Sequence, residues 1–344
     1  MRFLKTHIIA PILITIIFIS CTDIFVPKDK TNTPVYNFNT LWKEFDNHYS
    51  FFIYKNINWD SLYTVYRPKV TLGTSDPQLF EVMSSLLSNL HDGHIVLKSS
   101  FDTYVYEDWY LNYNKNFNLV LIQSDYLNGH YTITSSRKML YGQLTPSIGY
   151  VYILAFNGNN WSSEMDNILQ NLNLNSGLII DIRNNGGGKD ENMLKIAGRF
   201  ISGKKLFRII KYRNGPDHSD FSRPYEGYVS PEGKQRYAGN IALLTNRGVF
   251  SAAESFILAL KSNPNVTTIG DTTGGGSANP ISRELPNGWT YKISTWIEST
   301  PEGDVFEGKG IPPDIAVPES IYNQSESRDY ILESALQYLN KLSN

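Results

Sequence analysis

Cysteine is nearly absent from this chain: Cys21 is the only one among 344 residues. No intramolecular disulfide can form, so the fold must rest on its hydrophobic core. Blocks of lysine or arginine are also missing. With 31 basic and 33 acidic residues the formal charge is −2, which leaves no basic footprint for nucleic acid. There is no internal repeat and no long low-complexity stretch. Only one apolar run is long, from Ile8 to Ile19. It falls short of the roughly 20 residues that cross a bilayer comfortably.

That run follows a basic start (Arg2, Lys5) and precedes a small residue, Ser20, and then Cys21, which is the layout of a secretory signal. The stretch "FISC" resembles the lipobox of bacterial lipoproteins. The resemblance implies a signal peptide over residues 1–20, lipid attachment at Cys21, a polar tether over 21–35, and a cell-envelope location held by the membrane anchor. Two basic and no acidic residues lie in 1–20, so the mature chain would carry −4.

About 310 residues follow the tether, enough for two parts around a large core. Residues 36–98 read as a small helical domain. In "DPQLFEVMSSLLSNL" Leu79, Phe80, Met83, Leu86, Leu87 and Leu90 recur at helical spacing. Residues 99–147 are less regular, with strand-like pieces at "FNLVLIQ" and "GHYTITSS". From 148 to 320 strands and helices alternate. Strands are expected at "YVYILAF", "SGLIIDIR", "LFRIIKYR", "NIALLTN" and "VTTIGDT", and helices at about 161–172, 190–202 and 251–262. Two of these strands are continuous apolar runs, as for strands buried on both faces. The class is therefore α/β, closed by a C-terminal helix within 321–344.

Five stretches could carry chemistry. "RGVFSAAESF" places Ser251 at a helix start with Glu254 three residues on, a capping box. A serine there is also where backbone amides and the helix dipole stabilise an oxyanion, so cap and nucleophile both stand. "DIRNNGGGKD" is a strand, then glycines 186–188, then a helix. The glycines allow close approach and aim amides at an anion, but neither the G-x-G-x-x-G nor the G-K-[ST] spacing of nucleotide loops is present. "LHDGHIVL" puts His91 and His94 at a helix end, without the further ligands that a metal site needs. "IGDTTGGG" and "EGKGIPPDI", with Glu307 heading the second, are rigid turns. No cofactor motif appears.

In this order the pieces "LIIDIRNNGGG", "TNRGVFSAAESF", "IGDTTGGG" and "EGKGIPPDI" resemble the C-terminal processing (tail-specific) serine peptidase family, over about residues 36–320. The resemblance implies a ClpP/crotonase-like core and a serine peptidase acting on peptides through an acyl-enzyme. The lysine of the G-x-x-T-x-G-K-G turn is absent from "GDTTGGGSA". The chain instead matches the branch containing the tricorn core and interphotoreceptor retinoid-binding protein. That match implies Ser251 as nucleophile, His94 as base, Glu307 as its orienting acid, and an oxyanion hole from Ala252 with Gly187 or Gly186. Gly93 stands where the tricorn core has serine. The stretch from Ile95 to Ser147 is short for a PDZ domain, which is expected to be reduced or absent. The retinoid-binding relatives offer the rival: an inactive binder of peptides or apolar ligands on the same fold.

Overall fold

The computed structural model describes residues 32–317 and 328–343. The proposed signal, Cys21 and most of the tether lie outside the described residues.

The centre is a seven-stranded sheet. Its order is Ile315–Ala316, Val266–Gly270, Ile241–Thr245, Gly177–Asp181, Ile148–Ile153, Met139–Thr145 and Tyr131–Ile133. The first five run parallel, and the last two add antiparallel. Every residue of Gly177–Asp181 and Ile241–Thr245 is buried. The period-2 alternation of strands explains why both faces need apolar residues. Leu178, Ile180, Ile241 and Leu243 face the layer that holds the helices Asp190–Ala197 and Ala252–Lys261. Ile179, Ala242 and Leu244 face the closing helix Tyr330–Ser343 through Ile331, Leu332, Ala335 and Leu339. The fold is a mixed α/β fold, and residues 99–147 hold only short elements, with no PDZ unit among the described residues.

The parallel strands fix where a site can form. Loops leaving the C-terminal ends of three adjacent strands, after Asp181, Thr245 and Gly270, emerge on one side of the sheet. Ligands of open α/β sheets bind at such ends. All three glycine- or serine-bearing motifs are those loops.

The N-terminal helices Pro34–His48, Trp59–Tyr66 and Asp76–Ser88 pack around Phe38, Phe45, Trp59, Met83 and Leu87. This cluster continues into Leu285, Trp289, Tyr291, Ile293 and Trp296. A four-stranded antiparallel sheet joins residues 96–105 to residues 280–294, pairing Val96 with Lys292 and Leu97 with Tyr291. That pairing pins His94, two residues earlier, beside the core.

One local expectation fails. "FNLVLIQ" is not a strand but the helical turns Leu119–Leu121 and Ile122–Tyr126. Asn118 caps them, its Oδ1 accepting from Val120 N at 3.1 Å and Leu121 N at 3.3 Å, and a side-chain cap of this kind offers the backbone an alternative to a ladder. "LFRIIKYR" is a strand, Lys205–Tyr212, but it belongs to a separate three-stranded sheet with Tyr225–Val229 and Trp296–Ser299. There Arg208 and Arg213 are buried with polar partners, which the two apolar layers of the main sheet would not supply.

Candidate active site

Ser251 has φ 58° and ψ −130°. A non-glycine residue at positive φ outside the ordinary left-handed well stores on the order of 1–3 kcal/mol and persists only when its surroundings over-determine it. Those surroundings are visible. Phe250 N donates to Asn185 O at 3.1 Å, and Ser251 N to Glu254 Oε2 at 3.1 Å. Glu254, fully buried, also accepts from Gly275 N (2.8 Å), Gly276 N (2.6 Å) and the Thr273 hydroxyl. One carboxylate thus ties the serine's turn to the glycine turn at 274–276. Burial pushes it up to about 7 despite those four donors.

A helix leaves its first four N–H groups without intrahelical partners. Here Ala253 N donates to Phe250 O, and Glu254 N and Ser255 N donate to Ser251 O. Ala252 N carries no hydrogen bond, so a free amide sits directly after the serine at the positive end of the helix. The glycine turn 186–188 lies over it. A Cβ at Gly187 would stand 2.7 Å from Phe250 O, 2.9 Å from Ala252 N and 2.9 Å from Ser251 Cβ. However, Gly187 N already donates to Asn185 Oδ1 at 2.9 Å, so its amide is not the free donor that was expected. Gly187 serves by having no side chain. Gly186 is exposed, and Gly188, whose N–H is likewise unbonded, lines the cleft at Ser251.

His94 is buried, and neither ring nitrogen has a hydrogen-bond partner. Its ring lies 4.6 Å from that of Phe250, the residue before Ser251, while Trp109 stacks on Phe250 at 4.3 Å. This packing accounts for Gly93, where a Cβ would meet Trp109 Nε1 at 2.6 Å and Phe250 Cζ at 3.0 Å. Burial drives the His94 pKa down to about 4 against the pull of Asp92, so the imidazole is neutral near pH 7. The nearest carboxylate oxygen is Asp92 Oδ1, 3.9 Å from Nδ1.

Glu307 is also buried, with Oε1 on Lys55 Nζ at 2.9 Å and Oε2 accepting from Ser277 N at 2.9 Å. Burial and the Asp92 charge raise its pKa, and Lys55 opposes them. The structure therefore gathers Ser251, His94 and Glu307 around Phe250 and the 274–277 turn, but no hydrogen bond joins the three.

Residues 147–317 match peptidase family S41, and residues 31–88 match the tricorn protease C1 domain. A putative peptidase from Parabacteroides merdae is 36% identical, with a TM-score of 0.82 over 89% of this chain and 96% of that one. The chain belongs to peptidase family S41. Among curated S41 relatives, the carboxy-terminal processing protease CtpA of Bacillus subtilis is 28% identical over 171 residues, 49% of this chain and 34% of its own. The chain therefore spans about a third of that relative. A lipoprotein from Streptococcus agalactiae shares the fold, at 17% identity and a TM-score of 0.60 over 93% of this chain and 99% of that one.

Two lysines close to the motifs, Lys261 and Lys309, are engaged away from the serine's turn. Lys261 ends the serine helix, about 13 Å along it, and pairs with Asp314 at 2.5 Å. Lys309 lies over the Tyr54 ring. Lys55, whose pKa is raised through Glu307 despite its burial, is held protonated. Sequence reasoning missed Lys55, Ser277 and the structural part of Asp92, which accepts from His94 N at 2.8 Å and Ser294 Oγ at 2.8 Å. Only the D-G-H spacing hinted at Asp92. Nothing local marked the other two.

Proposed function

We propose that this chain is a serine peptidase that hydrolyses peptide bonds through an acyl-enzyme, with Ser251 as nucleophile, His94 as general base and then acid, and Glu307 as the group that orients the imidazole. The observation that carries this reading is the strained Ser251 turn with the free Ala252 amide behind it, a geometry that a cap alone does not need. Ser251 Oγ attacks the carbonyl carbon and its proton passes to His94. The oxyanion is met by Ala252 N–H and by an unbonded amide of the glycine turn, for which Gly188 is best placed and Gly186 is the neighbour. The C–N bond breaks as His94 returns the proton to the leaving amine, and water repeats the sequence on the ester. The neutral His94 is in the right protonation state for the first step. Its ring must turn from Phe250 toward Ser251 when substrate binds, and Glu307 must trade one of its present partners for the ring. Catalytic hydrogen bonds often tighten only in the substrate complex.

The substrate is a peptide or protein, in keeping with the names of the Bacillus subtilis relatives. The "FISC" stretch supports attachment to the cell-envelope membrane through Cys21, and the Streptococcus agalactiae protein of the same fold is itself called a lipoprotein. An inactive ligand binder would leave the Ser251 strain without a use. The test is labelling by a fluorophosphonate, which requires an activated serine. Wild type should label and hydrolyse peptides, and Ser251→Ala should do neither. A folded wild-type protein that fails to label at neutral pH overturns the reading.

A further inference from the structure

A cleft of about 330 Å³ opens at Ser251 and runs along the serine helix, within the size range of small-ligand sites, ~300–1,000 Å³. Ser251 and Ser255 are four residues apart and so share a helix face. Beyond Ser255 the floor is charged. Glu298, almost fully buried, accepts from Ser255 Oγ at 2.7 Å and lies 3.6 Å from Arg208 Nη1. Arg208 Nη2 donates to Asp190 Oδ2 at 2.6 Å. Two carboxyl groups thus face one guanidinium, and burial raises Glu298 to about 7 against the pull of Arg208, so the excess negative charge is full only above that pH. Arg208 itself does not line the cleft; the cation that does, Lys189, is exposed and turns to Asn159 Oδ1 at 2.5 Å.

One wall is Trp296, more than nine-tenths buried, whose indole Nε1–H has no partner. An unpartnered buried donor is destabilising, and a substrate carbonyl or hydroxyl entering the cleft would satisfy it. The rim carries Asn279, exposed, whose backbone oxygen accepts from the Thr295 hydroxyl beside Trp296.

We propose that this cleft is a side-chain subsite beside the scissile bond, and that its excess carboxylate selects a lysine or arginine side chain. This rests on the peptidase reading above. An acidic side chain would meet Glu298 and Asp190 at close range. An apolar one would cover the Glu298–Arg208 pair and take it further from water with nothing in return, which is costly for buried charges. A cation balances the floor. Its methylenes lie along Trp296 and its head reaches Glu298, while Arg208 keeps the glutamate in place.

The experiment uses the full chain and a peptide series of fixed sequence, varied to Lys, Arg, Leu, Phe or Glu on each side of the bond that is cleaved. For wild type, kcat/KM for Lys or Arg should exceed that for Leu at least 10-fold at one of the two positions, with Glu lowest. Glu298→Gln should lower the Lys/Leu ratio at least 10-fold. Asn279→Asp, at the exposed rim and outside the buried network, should raise the ratio and serves if Glu298→Gln misfolds. A wild-type preference for apolar or acidic side chains overturns the proposal, as does a Glu298→Gln that slows all peptides equally, or an Asn279→Asp that leaves the ratio unchanged. Fluorophosphonate labelling separates the two failures. Without labelling the peptidase reading falls, whereas labelling without basic selectivity removes only the subsite.

Discussion

Gly187 and Gly186 are neighbours in one turn, yet they should answer very differently to the same added methyl group. Gly187 has φ +93°, and its Cβ would meet Phe250 O at 2.7 Å, Ala252 N at 2.9 Å and Ser251 Cβ at 2.9 Å. Two of those atoms are backbone, so no flexible side chain can swing away. To restore an ordinary contact the serine's turn must open by roughly 0.7 Å, from 2.7 to 3.4 Å. Overpacking of this kind costs about 1–3 kcal/mol, and an L-residue at positive φ adds about 1–2 kcal/mol. The sum, roughly 2–5 kcal/mol, should lower Tm by about 4–10 °C for a chain of this size. The displacement falls on the nucleophile and the Ala252 amide, where misplacement near 1 Å costs about 10²-fold in rate. Gly186 has nothing within 4 Å of its Cβ position and no positive φ. Gly186→Ala should therefore leave Tm within about 1 °C and turnover within a few-fold. Thermal unfolding, paired with kcat and KM on one peptide, reads both effects, and the Gly187→Ala loss should fall mainly on kcat. A Gly187→Ala protein with wild-type Tm and kcat would refute the placement of the glycine turn against Ser251.

His94→Ala should lose activity nearly as completely as Ser251→Ala, on the order of 10⁴-fold, and the double mutant should be hardly worse than either. Retained turnover in His94→Ala, with loss in Lys261→Ala or Lys309→Ala, would replace the triad with a serine–lysine pair. A histidine base alone suggests an acidic limb near pH 6.5, but burial takes His94 down to about 4 and raises Glu307. The limb of kcat/KM should thus lie near 7, where Glu307 ionises, and in Glu307→Gln it should move toward the histidine value at a lower plateau; an unmoved limb removes Glu307 from the mechanism. In stability the sign for His94 is set by its lowered pKa. Its contribution, about 3 kcal/mol for a shift from 6.5 to about 4, is full above pH 6.5 and lost as pH falls through 4, so denaturant titrations of wild type and His94→Gln should converge over that range. Gly93→Ser should destabilise by about 1–3 kcal/mol, seen as a lower Tm, because its Cβ meets Trp109 and Phe250. In a bacterium with lipoprotein machinery, Cys21→Ala should lose fatty-acid labelling while the rest stays folded, and equal labelling of both forms would exclude the anchor.

What the sequence made legible was local. The strands Gly177–Asp181 and Ile241–Thr245 could be read because a strand buried on both faces shows as an unbroken apolar run. The loops after them could be read because glycine and the Ser-x-x-Glu pattern speak for backbone geometry within four residues. The misread stretch fails for an equally local reason. "FNLVLIQ" has strand composition, but Asn118 supplies a cap that composition does not weigh. "LFRIIKYR" has strand periodicity, but periodicity does not say which sheet a strand joins.

The parts of the site that stayed hidden are those made by contacts between distant positions. Lys55 and Glu307 meet across 252 residues, and Val96 pairs with Lys292 from the other side of the core sequence. The identity of Glu307 could be matched by motif, yet its pKa is raised by burial and Asp92, with Lys55 opposing them, and none of these lies in that motif. The same holds for the cleft floor, where Glu298, Arg208 and Asp190 arrive on three separate elements. A motif therefore marks which groups can react, because the backbone setting of each group is local. Which substrate is taken, and at which pH, is set by charges that meet only through tertiary packing, and substitutions at Lys55 or Glu298 should shift those properties with every motif residue left in place.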